Sequence, residues 1–226
     1  MALTAAKLTD QDRQAIERAV AEAESRTSAE LVVVTAEQSG RYDRAEDLFG
    51  LLLALLAVAA AWVMWQGVRP DTGDWSVGLT TTLSLPVVLI LIAGWAAAGA
   101  ALATWQPMLA RPFITRAHMD VEVRRRGAEV FLQSGVAGTA ARRGVLIFVS
   151  LFEHMVFVCG DDAVNRVLPQ ETWDGLARDV AAGFRAGRPA DAIAGAVRQV
   201  AGLLEPHFPP EAGDTNELPD RVRPAV

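Results

Sequence analysis

Cysteine, histidine and tyrosine are scarce in this sequence, whose 226 residues hold one Cys, three His and one Tyr. The single Cys159 excludes an internal disulfide and makes an oxidising compartment unnecessary. His118, His154 and His207 have no partner at a metal-ligand or triad spacing, and neither a Cys-x-x-Cys nor a His-Glu-x-x-His run occurs. Residues 135–138 lack the Gly-Lys-Ser/Thr ending of a phosphate loop, and Ser134 and Ser150 lack a nucleophile-elbow setting. The net charge of -6 is spread along the chain, which speaks for solubility and against a nucleic-acid partner. Residues 1–12 show no charged segment followed by an apolar one, so the first apolar stretch has to act as its own membrane-insertion signal.

The longest absence is of charge, which is missing from residues 48–65 and again from 75–110. Each stretch supplies the roughly 20 apolar residues a helix needs to cross the hydrocarbon core of a bilayer. Pro86 is tolerated only in a first helical turn, which sets the spans at about 48–65 and 86–105, with 66–74 as a polar turn and 75–83 as an interfacial lead-in. Trp62, Trp65, Trp75 and Trp105 sit where interface anchors belong. Gly94 and Ala98, Ala96 and Ala100, and Gly99 and Ala103 are small residues four apart, suited to close packing of the two spans or to pairing with a second copy.

The flanks of the spans set the expected orientation. Arg41, Arg44, Arg111, Arg116 and, further on, Arg124, Arg125 and Arg126 lie on the domain side, against Arg69 alone in the turn. The positive-inside bias therefore places the soluble part and both termini in the cytoplasm of a bacterial cell, with the hairpin in the inner membrane. Arg111, Arg116, Arg124, Arg125 and Arg126 are candidates for contact with inner-leaflet lipid; i,i+4 pairing along one helix, such as Glu122 to Arg126 and Arg125 to Glu129, is the competing role.

What flanks the hairpin reads as one α/β domain in two pieces, 1–47 and 111–205, followed by a polar, proline-containing tail, 206–226. Residues 8–26 are amphipathic, with Thr9 as N-cap and Ile16, Ala19, Val20 and Ala23 on one face. Residues 30–36 form a β-branched run suited to a strand buried on both faces. A helix over 115–134, a hairpin of strands at 144–150 and 155–159, and two helices carrying Trp173, Leu176, Val180, Phe184 and then Ile193, Val197, Val200, Leu204 complete the pattern. Pro206, Pro209 and Pro210 stop regular structure. The implied fold is a mixed sheet flanked by helices, with two transmembrane helices inserted as a hairpin. Asp161, Asp162 and Glu171 are the acidic residues best placed to gather oxygen ligands around a hard cation, though turn and N-cap duty explains the two aspartates as well.

Thr27-Ser-Ala-Glu-Leu-Val-Val-Val34, Arg143-Gly-Val-Leu-Ile-Phe-Val-Ser150 and the paired C-terminal helices resemble the TPM domain family. With the apolar pair after the first strand, His207-Phe-Pro209 and Asn216-Glu-Leu-Pro219, the chain is similar to a bacterial membrane subgroup of it. The resemblance implies the same mixed sheet, and some members are linked to acid phosphatase activity, calcium binding or membrane-protein maintenance. Arg142 and Arg143 stand where many members have an Asp-Asn pair, so no family metal or phosphatase residue transfers. The sequence thus favours a non-enzymatic scaffold or maintenance factor without a cofactor, partnered by lipid and another membrane protein. A cation-dependent phosphatase-like enzyme using Asp161, Asp162 and Glu171 is the alternative.

Overall fold

A computed structural model describes residues 8–70, 77–81, 83–139, 141–210 and 221–225, and divides the chain into two compact units, Met1–Gly40 with Arg116–Val226, and Arg41–Thr115.

The first unit is the α/β domain. Helix α1 (Asp10–Glu24) opens with a capping box, since the Thr9 hydroxyl accepts from the Asp12 N–H while the Asp12 carboxylate takes the Thr9 N–H at 2.8 Å. Ile16, Ala19, Val20 and Ala23 are its buried face. Strand β1 (Leu31–Ala36) is buried at every residue, and its period of two divides those side chains between two layers. Leu31 and Val33 join Val145, Ile147 and Val149 of β4 (Val145–Ser150) in a core completed by α1, α6 (Gln170–Arg185) and α7 (Pro189–Leu204). Val32 and Val34 join Leu146 and Phe148 on the other face, under Val123 and Val130 of α4 (Arg116–Gln133). β5 (Met155–Gly160) pairs antiparallel with β4, as the four-residue link between them requires, while β1 runs parallel to β4 from Leu31↔Val145 to Ala36↔Ser150.

One segment departs from the sequence expectation. The tail does not stay irregular after its prolines, because β6 (Arg223–Pro224) pairs parallel with Val34 and Thr35 and completes the order β5-β4-β1-β6. Nothing in its local pattern marks a strand; the open edge of β1 selects it.

The second unit is a helical hairpin. Its helices, α2 (Asp43–Trp65) and α3 (Leu85–Trp105), are both long and apolar enough to cross a membrane. α2 begins a turn before the charge-free stretch, and α3 follows Ser84 at its N-cap with Pro86 in its first turn. The connection is more regular than a polar turn and lead-in, since β2 (Gln66–Pro70) and β3 (Val77–Thr81) form an antiparallel ladder. The helices touch through small residues: a Cβ on Gly99 would lie 2.7 Å from the Gly50 Cα, and Ala54, Ala61 and Ala103 are buried nearby. Phe49 and Phe113 meet edge to face at 6.4 Å.

Candidate functional site

The acidic corner lies where β5 ends. Asp161 caps the short helix α5 (Asp162–Asn165): its N–H donates to the Gly144 carbonyl at 2.8 Å and its Oδ1 accepts from the Asp162 N–H at 2.7 Å. Asp162 faces Arg142, a residue in the left-handed region (φ 51), and the two pair at 2.8 Å. Asn165 turns its amide Nδ2 to the Gly160 carbonyl. The other oxygen of Asp161, Oδ2, is buried without a hydrogen-bond partner. Burial, with the Asp161 charge second, pushes the neighbouring Cys159 thiol up to about 12, which keeps it protonated and unreactive.

These residues do not fit a calcium ion of the kind the family resemblance implies. Ca²⁺ takes six to eight oxygen ligands. This corner offers one free carboxylate oxygen beside a guanidinium that already occupies Asp162, while Glu171 lies exposed in the first turn of a different helix, α6. Among the described residues no three His, Cys, Asp or Glu side chains converge as metal ligands.

At the opposite end of the sheet, where parallel β1 and β4 terminate, sequence reading misses a buried carboxylate. Glu153 is 3% exposed. Its Oε1 accepts from the Ser39 N–H at 3.0 Å and its Oε2 accepts a short bond from the Ser150 hydroxyl, which in turn accepts from the Ser39 hydroxyl at 2.6 Å. Open α/β sheets bind ligands at such strand ends, but here the serines and the carboxylate satisfy one another and tie the segment after β1 to the β4–β5 link. The available signal was a Glu three residues after a strand-ending Ser. His154 is half-buried with φ 54 and stacks on Phe184 at 5.6 Å.

The arginines of α4 form a lattice on their own helix. Arg124 pairs with Asp120 at 2.9 Å, Arg125 with Glu122 at 3.0 Å and Glu129 at 3.9 Å, and Arg126 with Glu129 at 2.9 Å. Arg126 thus takes its i,i+3 acid, while Glu122 goes to Arg125. The hydrogen bond and charge of Arg126 hold the Glu129 carboxyl below its usual range. Arg116 opens the helix and Arg111 belongs to a 3₁₀ turn of the hairpin unit.

In the hairpin, Trp62, Trp65 and Trp105 are exposed, and Trp75 lies outside the described residues. Gly99 and Ala103 face α2, whereas Gly94 and Ala98 are exposed and a Cβ on Gly94 would meet nothing within 4 Å. Near the hairpin base the Thr104 hydroxyl donates to the Glu46 carboxylate at 2.5 Å.

Residues 114–203 match the family model of the TPM domain. Over that stretch, less than half of the chain, the sequence is similar to the TPM domain. The match to the TPM domain spans α4 to α7 and therefore the acidic corner, the hairpin of β4 and β5, and Glu153; α1, β1 and the helical hairpin precede it. In fold the chain is similar to the BA42 protein from the psychrophilic bacterium Bizionia argentinensis, known from an NMR structure, with a TM-score of 0.55 at 17% identity over 97% of this chain and 96% of that one. No curated protein matches it.

Proposed function

We propose that this protein is a membrane-anchored TPM-like scaffold or maintenance factor, which recruits or stabilises another membrane protein from the cytoplasmic face of a bacterial inner membrane. The observation that carries the anchor is the packing of the hairpin. Its helices meet through glycine and alanine, while Leu51, Leu52, Leu55, Leu56, Leu89 and Ile90 face outward, an arrangement that suits a lipid solvent and would be costly in water. Arginines on the domain side of the spans support the orientation. Arg111, Arg116, Arg124, Arg125 and Arg126 add about 1 kcal/mol each against anionic lipid where they are freed from their own acids. Gly94 and Ala98, turned away from α2, are the small residues left for a second copy. The scaffold role is supported by the state of the polar groups, since Asp162, Glu153, Arg124, Arg125 and Arg126 are engaged in bonds that hold the fold.

Photo-crosslinking of the intact protein in its membrane tests this reading and is expected to trap a distinct membrane protein; capture of lipid alone would overturn it. A cysteine placed by Ser76→Cys is expected to label with an impermeant reagent from outside the cell while the half-buried Cys159, on the cytoplasmic side in this reading, stays silent, and labelling only after lysis would reverse the orientation.

The phosphatase-like reading has one observation in its favour, the unpartnered Oδ2 of Asp161. Calorimetry of the full-length protein in detergent is expected to give no heat with millimolar Ca²⁺ or Mg²⁺, and binding abolished by Asp161→Asn would restore that reading.

A further inference from the structure

Helix α4 has two apolar faces. Met119, Val123, Gly127 and Val130 are its buried residues, with Val123 and Val130 in the core above the sheet. At about 100° per residue, Ala117, Val121, Ala128 and Leu132 fall within about 60° of one another on nearly the opposite side. All four are exposed, Val121 at 60% and Leu132 at 73%. Among the described residues of the α/β unit the only other large apolar side chain so exposed is Val167. The outward face carries no acid. Arg124 and Arg125 stand about 20° beyond its two borders, and the acids they pair with, Asp120 and Glu122, lie further round toward the sheet.

The arginines decide what kind of neighbour this face fits. In a two-fold pairing with a second copy, the middle of the stripe would bring Arg124 and Arg125 against their own counterparts, like charges with little water between them. An anionic leaflet accepts the pattern as it stands. Acyl chains take Val121 and Leu132, about 16 Å apart along the helix axis, while the guanidinium groups reach lipid phosphates on flexible apolar stems. Arg124 holds Asp120 through Nε at 2.9 Å, which leaves its terminal amino groups for phosphate. The chain also limits how far the helix can stray from the bilayer: α3 ends at Trp105 and α4 starts at Arg116, so residues 106–115 allow a separation of at most about 40 Å.

We propose that the outward face of α4 is a membrane-association surface, which seats Val121 and Leu132 in the acyl region of an anionic leaflet with Arg124 and Arg125 at the phosphates on either side. The inference rests on the membrane-anchored reading and adds to it a second, peripheral contact that fixes the attitude of the α/β unit on the lipid. With α4 against the leaflet, α1, α6 and α7, which pack on the other face of the sheet, are presented to the cytoplasm. Because the arginines act at the surface, the contact weakens as salt is raised.

The test places an environment-sensitive fluorophore at single cysteines in the full-length protein carrying Cys159→Ala, reconstituted into vesicles whose acyl chains are brominated. Val121→Cys and Leu132→Cys report on α4, Leu55→Cys on the outward face of α2, and Gln199→Cys on the exposed side of α7; all four positions are exposed, so the label does not disturb a core. The vesicles are phosphatidylcholine alone or phosphatidylcholine with phosphatidylglycerol. Bromine is expected to quench the labels at 121 and 132 at least twofold in the anionic vesicles and less than half as much in the neutral ones, to quench 55 in both and to leave 199 unchanged. Arg124→Gln with Arg125→Gln is expected to remove the difference between the two vesicles. If 55 is quenched while 121 and 132 stay as silent as 199, the α4 surface is overturned and the anchor stands. If 55 is silent, the anchored reading falls and this inference with it. Equal quenching at 121 and 132 in both vesicles overturns the role of the arginines and hence the proposal. A blue shift at these two positions without quenching, reversed on dilution in lipid, would assign the face to a second copy and overturn it as well.

Discussion

The two units build their interiors from opposite materials. In the α/β unit the deepest side chains are large, among them Trp173, Phe148, Ile16, Ile147 and Leu176. Within α2 and α3 of the hairpin the buried residues are Ala45, Gly50, Ala54, Ala61, Gly99 and Ala103, and large side chains lie outside, with Leu55 59% and Trp105 77% exposed. A water-soluble unit gains stability by taking big apolar side chains out of water. Between helices in lipid that gain vanishes, because a leucine is as well solvated by acyl chains as by another leucine, and close backbone approach has to supply the attraction. Composition therefore distributes differently in the two units, although both are rich in Ala, Val and Leu.

The comparison breaks most visibly at Phe148, which is fully buried on the α4 side of the sheet. Phe148→Ala is expected to cost about 3–5 kcal/mol in chemical unfolding of the α/β unit, and a loss below 1 kcal/mol would mean the sheet packs loosely. The same logic inverts in the hairpin. Gly99→Leu, whose first side-chain atom would meet the Gly50 backbone, is expected to destabilise helix association by about 1–3 kcal/mol in detergent, whereas Leu55→Ala on the outward face is expected to change it by less than about 0.5 kcal/mol. If Leu55→Ala proved the more damaging, the outward face would be a protein interface. The smallest effect concerns pH. The Cys159 thiol is raised in the folded state to about 12 from an ordinary 9.0. Its contribution is therefore fully present below pH 9 and is lost as pH rises toward 12. Urea melts at several pH values are expected to show a decline above pH 9 that Cys159→Ala removes.

Much of the α/β unit was legible in the sequence because its signals are local and mutually consistent. Thr9 with Asp12 announces α1, the β-branched run announces β1, and the stripes of α6 and α7 fall on the residues that are buried. The illegible parts depend on partners far along the chain. β6 has no strand pattern of its own and exists where β1 needs a neighbour. Glu153 reads as an ordinary polar turn residue until Ser39, 114 positions earlier, is brought to it. The aspartates were readable as turn and cap residues, but the pairing of Asp162 with Arg142 required the left-handed backbone at Arg142, which a bare Arg-Arg-Gly run does not reveal.

The register Leu31↔Val145 also sets a clock. β1 emerges from the ribosome with all six of its residues destined for burial, yet the strand that pairs with it follows more than a hundred residues later, roughly 5–25 s at ordinary rates of synthesis. Both apolar helices are made in that interval. The hairpin is thus complete before the sheet can close, and the α/β unit stays open until β4 is made. A point mutation that delayed pairing with β4 would leave a bare, β-branched strand waiting, and its penalty would fall on yield during biosynthesis more than on the stability of the finished protein.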